Sequence, residues 1–175
     1  MDHQHYMSQA LALAREAYEA GEVPVGCVIV QGDTIVGRGR NRREEDRDPL
    51  AHAELLAITD ACRTLGGWRL QGTRLYVTLE PCPMCAGGII SARVPELYYG
   101  AKDEAFGACG SILNLFEENF RHHPKIVGHI LEEPCAQLLR AFFAQVRSGG
   151  RQLDNPNNPM LQWADKPLRG KRKEW

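Results

Sequence analysis

The apolar positions of the chain fall into two periods. From Tyr6 to Glu19, Met7, Ala10, Leu11, Ala14, Ala17 and Tyr18 recur at steps of three and four, the stripe of an amphipathic helix that Gly21 ends. Val25–Val30 is a β-rich apolar run, Gln31-Gly32-Asp33 a tight turn, and Thr34–Gly39 the return strand of a hairpin. Asn41–Pro49 is charged, shows neither period and reads as an irregular loop. Pro49 disfavours helix at Asp48, and Leu55, Leu56, Ile58 and Ala61 then set a helical pattern over Ala51–Arg63 that begins almost at His52. Thr73–Leu79 alternates around Leu75 and Val77 as a strand, Glu80-Pro81 breaks it, and Cys82–Ala92 resumes helical composition. Val94–Tyr99 and Lys125–Leu131 read as strands, with a Gly- and Ala-rich loop at Gly100–Gly110, and Glu133–Arg147 is a helix carrying Leu138, Leu139, Phe142, Phe143 and Val146.

This alternation predicts a layered α/β domain: a mixed sheet with helices on both faces and its first two strands antiparallel. Residues 1–147 form that domain. After Ser148, Gly149-Gly150 and Asp154-Asn155-Pro156-Asn157-Asn158-Pro159 lose the periodicity, so 148–175 is expected to be a tail that is extended or disordered when unbound.

Composition narrows the class. A hydrophobic share of 43% in 175 residues suits one compact core. No run approaches the ~18 apolar residues of a membrane span, and Met1-Asp2-His3-Gln4-His5 lacks the basic-then-apolar start of a secretory signal, so a soluble, cytoplasmic protein is expected. The six cysteines are scattered rather than packed into a disulfide scaffold; Cys27, Cys62, Cys109 and Cys135 have no metal-like spacing and read as small buried thiols. A net charge of −1 excludes a globally basic nucleic-acid binder, yet the charge is uneven: residues 148–175 hold six Lys or Arg against three Asp or Glu. The late group Arg169, Lys171, Arg172 and Lys173 reads as a solvated terminus or as a basic patch that contributes to RNA binding. In the body, Arg38, Arg40, Arg42 and Arg43 form a basic cluster that either meets phosphate or is a solvated loop, because Glu44, Glu45 and Asp46 follow at once.

The most informative pattern is His52-Ala53-Glu54 with Pro81-Cys82-Pro83-Met84-Cys85; 29 residues separate His52 from Cys82. One imidazole and two thiolates suit Zn²⁺, and a C-x-x-C at a helix start lets both sulfurs reach one ion while the helix dipole favours thiolate. Structural zinc sites close with four protein ligands; three point to a catalytic ion that keeps a position for water. Glu54, in the first turn after His52, is placed to shuttle protons without ligating. Taken singly, the C-x-x-C fits a redox pair, the His a structural role and the Glu a dipole partner; together they fit catalytic zinc.

At these residues the sequence resembles the cytidine and deoxycytidylate deaminase superfamily, and within it the enzymes that deaminate adenosine in bacterial tRNA. The likeness runs from about Tyr6 to Arg147 and includes Glu22-Val23-Pro24-Val25-Gly26, Gly39-Arg40-Asn41, Asp48-Pro49, Leu75-Tyr76-Val77-Thr78-Leu79-Glu80, Cys85-Ala86-Gly87 and Phe142-Phe143. It implies a three-layer cytidine-deaminase-like fold with a five-stranded mixed sheet, a homodimer, and hydrolysis of adenosine to inosine at the tRNA wobble position. His52, Cys82 and Cys85 are then zinc ligands, Glu54 the general acid/base, and Asn41, Arg42, Pro81, Lys102, Arg121 and His122 contacts to an anticodon stem-loop. The chain departs from the family at Arg121 (usually Asn), Pro134 (usually Glu) and Ala144 (usually Arg), and Gly149-Gly150 with the Asn/Pro run replaces a lysine-rich extension. Two other readings stay open: a deaminase of a free nucleobase or nucleoside of the guanine or cytosine type, and a zinc-stabilised RNA-binding or scaffold module without catalysis.

Overall fold

The computed structural model describes residues 2–150; the expected tail lies outside the described residues from Arg151 onward. Five helices and five strands follow in the order α1 (His3–Glu19), β1 (Gly26–Gln31), β2 (Thr34–Arg40), α2 (Arg43–Asp46), α3 (Ala53–Leu65), β3 (Thr73–Leu79), α4 (Pro83–Ser91), β4 (Glu96–Ala101), β5 (Lys125–Val127) and α5 (Glu132–Arg147), with a 3₁₀ turn at Leu115–Glu117. One sheet runs β2-β1-β3-β4-β5. β1 is antiparallel to both β2 and β3, whereas β3, β4 and β5 are parallel. This is the five-stranded mixed sheet of the cytidine-deaminase-like fold. Alternate residues divide the core: Ile29, Leu75, Val77 and Leu97 face α3 and α4, while Val28, Val30, Tyr76 and Tyr98 face α1 and α5.

Two close approaches position the site. A Cβ at Gly39 would collide with the Ala53 carbonyl oxygen, so α3 lies with its backbone directly on β2, and the bare Gly fixes the height of the first turn of α3. Likewise a Cβ at Gly88 would come within 2.6 Å of Leu55 Cδ2, so the glycine lets α4 settle against α3.

The structure corrects three boundaries. The irregular loop at 41–49 contains the helical turn α2, anchored by Glu22 Oε1, which accepts from Glu45 N–H at 2.8 Å, with Arg42 and Asp46 paired at its surface. The fourth strand lies at Glu96–Ala101 rather than 94–99, because Arg93 takes a left-handed φ of 61° and Pro95 has no N–H to donate. The last strand ends at Val127, since His129 and Leu131 have φ of 68° and 52°. Among the described residues no helix is long and apolar enough to cross a membrane.

Candidate metal centre

His52 and Cys82 are both helix N-caps, of α3 and α4, in extended conformation and with side chains not spent on capping. Pro83 explains the start of α4, because it disfavours helix at Cys82 and suits the first helical position, while Pro49 only keeps Asp48, upstream of α3, out of helix. Cys85 follows one turn along α4. The three side chains converge, with His52 Nδ1 3.7 Å from Cys82 Sγ and 3.5 Å from Cys85 Sγ, and their ligand atoms all lie within 4.8 Å of one another. A soft N/S/S donor set at two helix N-termini, where partial positive charge favours thiolate, is the chemistry that holds zinc.

Electrostatics follow from this crowding. Cys82 is drawn down to about 4, first by the hydrogen bond from Cys85 and then, against burial, by His52. Cys85 is pushed up by the same bond, by burial and by Glu54, so the two thiols act as a unit that readily carries one negative charge. Burial lowers His52, but Cys82 and Glu54 outweigh it and raise the imidazole. Glu54 is 4% exposed, and burial pushes it up to about 7, with Cys82 adding to the effect and His52 opposing it. Its carboxyl therefore changes protonation near neutrality, as a proton carrier requires.

The other expected site residues divide by location. Asn41 is buried near the start of α3; its Nδ2 donates to Val23 O at 3.2 Å and its Oδ1 accepts from Arg43 N–H at 3.3 Å, which leaves one amide hydrogen for a ligand. Arg42 is half-exposed and tied to Asp46 at 2.9 Å and Glu45 at 3.2 Å, and Arg40 to Glu45 at 2.8 Å, so the basic cluster is largely paired with the acids that follow it. Pro81 is buried immediately before Cys82, and Lys102 is exposed just past the end of β4. Arg121 and His122 are not brought to the centre. His122 Nε2–H donates to Val94 O at 2.7 Å, before β4 begins, whereas Cys82 follows the C-terminal end of β3, parallel to β4.

Sequence reasoning assigned no role to Glu80. It is 1% exposed and anchors the loop after β4 through four hydrogen bonds, whose donors hold its carboxyl below the usual range although burial opposes them. The available signal was a lone acid directly after the strand Thr73–Leu79 and directly before the Pro-Cys turn. Burial, then Glu80 and Glu54, push Cys109 in that loop up to about 12.

Sheet order, donor triad and buried carboxyl together define a deaminase of the cytidine-deaminase-like fold. Residues 1–147 match the MafB19-like deaminase family. The chain is 48% identical over 143 residues to the tRNA-specific adenosine deaminase of Bacillus subtilis (strain 168), covering 81% of this chain and 89% of that protein. A solved structure from a study of A-to-I editing by tRNA:A34 deaminases superposes with a TM-score of 0.74 at 43% identity, covering 77% of this chain and 99% of that one. Guanine deaminase from Bacillus subtilis superposes with a TM-score of 0.56 at 41% identity, over 58% of this chain and 66% of that one. The chain belongs to the MafB19-like deaminase family, among the tRNA-specific adenosine deaminases.

Proposed function

We propose that this chain hydrolyses adenosine to inosine at the wobble position of tRNA, with His52, Cys82 and Cys85 holding zinc and Glu54 carrying protons. The observation behind the reading is the convergence of these three donors, within 4.8 Å, beside a carboxyl that titrates near 7. A bound zinc ion supplies the Lewis acidity that brings the pKa of a water toward neutrality. Glu54 accepts the proton that water loses as its oxygen adds to the ring carbon bearing the amine. It passes that proton to the ring nitrogen, then takes a second one from the added hydroxyl as the C=O bond forms and the C–N bond breaks, and delivers it to the amine, which leaves as ammonia. Buried, Glu54 also keeps the proton from escaping to bulk water.

The remaining amide hydrogen of Asn41 is available to orient a base taken out of its stack, and buried Pro81 lines the approach to Cys82. Arg42 and Lys102, both at the surface, supply positive charge for anticodon-loop phosphates. The family resemblance also implies a homodimer, and it assigns Arg121 and His122, at the opposite end of the sheet from Cys82, to the anticodon stem-loop. The catalytic domain is residues 1–147, with 148–175 appended, and the enzyme works in the cytoplasm, where its substrate is.

The test is purified protein incubated with an anticodon stem-loop bearing adenosine at the wobble base. Inosine at that base is expected; turnover of free guanine or cytosine without inosine overturns the RNA reading, which the 41% likeness to a guanine deaminase makes the relevant competitor. Metal analysis is expected to find a single zinc per chain. Chelation should abolish turnover and open Cys82, the more accessible of the two thiols, to alkylation ahead of buried Cys85.

A further inference from the structure

We propose that Glu80 is a positioning residue whose buried carboxylate holds the loop at 102–111 as one wall of the substrate pocket. The inference rests on the deaminase reading above.

The geometry is that of a loop folded around an acceptor. Oε2 of Glu80 accepts from Asp103 N–H at 3.1 Å and from the Ser111 hydroxyl; Oε1 accepts from Cys109 N–H at 2.9 Å and from Ser111 N–H at 3.1 Å. Gly107 allows the chain to wrap this closely, because a Cβ there would lie 2.5 Å from both Glu80 Cδ and Oε2. Inside the loop, Asp103 Oδ1 accepts from Ala105 and Phe106 N–H at 2.9 and 3.0 Å, and Ile112 N–H donates to Gly107 O at 3.0 Å. The loop is thus one folded unit in which three backbone N–H groups and one hydroxyl converge on Glu80, while Asp103 gathers those of Ala105 and Phe106.

Its location gives the unit a task. Glu80 N–H donates to Ala101 O, and Ala108 N–H donates to Pro81 O, both at 2.8 Å, so the loop is stitched to the turn that delivers Cys82. These contacts lie beyond the carboxyl ends of the parallel strands β3 and β4, where ligands enter sheets of this kind. Lys102 is exposed between Ala101 and Asp103, and both of those neighbours bond Glu80. The main chain on either side of Lys102 is therefore pinned by Glu80, and with it the origin of that cation.

A carboxylate sealed from water is a costly filler, and apolar side chains would occupy the space more cheaply. What an apolar side chain cannot do is gather four inward donors and so select one loop conformation. Releasing one of these bonds loosens that conformation and weakens binding by about threefold, and removing the charge that all four share weakens it by about tenfold. The chemistry at Glu54 is left alone.

The experiment compares wild type with Glu80→Gln and Ser111→Ala. The readouts are kcat and KM on the wobble-adenosine stem-loop, zinc content and thermal midpoint. Glu80→Gln should raise KM about tenfold, with kcat held within about twofold and zinc retained, and Ser111→Ala should raise KM by about threefold. A lowered midpoint with KM unchanged in both variants overturns the inference, because Glu80 then only stabilises the fold. A fall in kcat at constant KM overturns it too, by placing the effect on the chemistry. If Glu80→Gln does not fold, Ser111→Ala, which removes one hydroxyl and no backbone contact, decides alone. A wild type that makes no inosine defeats the deaminase reading itself, and the inference with it, whereas an active wild type with unshifted variants defeats the inference only.

Discussion

Glu54, two residues after His52, and Glu80, two before Cys82, are both almost sealed from water, yet their surroundings drive them in opposite directions. Around Glu54, on the first turn of α3, burial dominates and pushes the carboxyl up to about 7. Around Glu80, three backbone N–H groups and a hydroxyl overcome burial and hold the carboxyl below its usual range. Burial alone does not set the charge of an acid; the donors aimed at it do. One environment makes a group that exchanges its proton near neutrality. The other favours the ionised carboxylate, around which backbone can be organised.

The sharpest way to break this contrast is Glu54→Gln, which keeps the shape and removes the proton carrier. Deamination should fall by about 10³-fold with zinc retained, since a positioned acid–base group contributes on that order. Ammonia release and metal content measured on the same sample check it; unchanged turnover would move the shuttle to another residue.

The donor group beside Glu54 was legible in the sequence, whereas the burial that raises Glu54 and the task of Glu80 were not. His52, Glu54, Cys82 and Cys85 are separated by long intervals only once; otherwise their relations are local, and Pro83 and the apolar periods mark the helix starts. Local rules likewise located α1, whose start moved only from Tyr6 to His3 because Asp2 caps it by accepting from His5 N–H. Glu80 acquires its meaning from donors 23 to 31 residues downstream, in a loop without periodicity. The turn α2 was missed for the same reason, its buried anchor Glu22 lying 23 residues before Glu45. Placing β1 between β2 and β3 also depends on pairing across distant segments, which hairpin rules do not reach.

Stability against pH gives a smaller, two-sided test on protein stripped of metal. Glu54 ionises near 4.3 when unfolded but at about 7 when folded. The folded state thus binds more protons between these values, and wild type loses stability relative to Glu54→Gln as pH rises through that window. Glu80 runs the other way. With its folded pKa depressed, its contribution is complete above the unfolded value and is lost as pH falls below it. At neutral pH, Glu80→Gln should therefore cost about 2 kcal/mol, shrinking on acidification. Denaturant unfolding of the three proteins at a series of pH values checks both slopes, and parallel slopes would dissolve the distinction between the two environments.

A third carboxylate extends the comparison to the surface, where the smallest effect is expected. Asp46 receives Arg42 in a forked pair, Nε to Oδ2 at 3.0 Å and a terminal nitrogen to Oδ1 at 2.9 Å. The Arg42 hydrogen bond lowers its carboxyl below the usual range. Unlike the donors around Glu80, this partner is solvated, and water and salt replace it at little cost. Asp46→Asn should leave the thermal midpoint unchanged while leaving Arg42 with the single, longer contact to Glu45 at 3.2 Å, and so freer to turn toward RNA. The dependence of stem-loop affinity on salt should then steepen by up to about one phosphate contact. Titrating the stem-loop at several salt concentrations measures the slope. A large fall in stability instead would mean that α2 depends on this pair as the loop at 102–111 depends on Glu80, and the line between exposed and buried carboxylates would have to be redrawn.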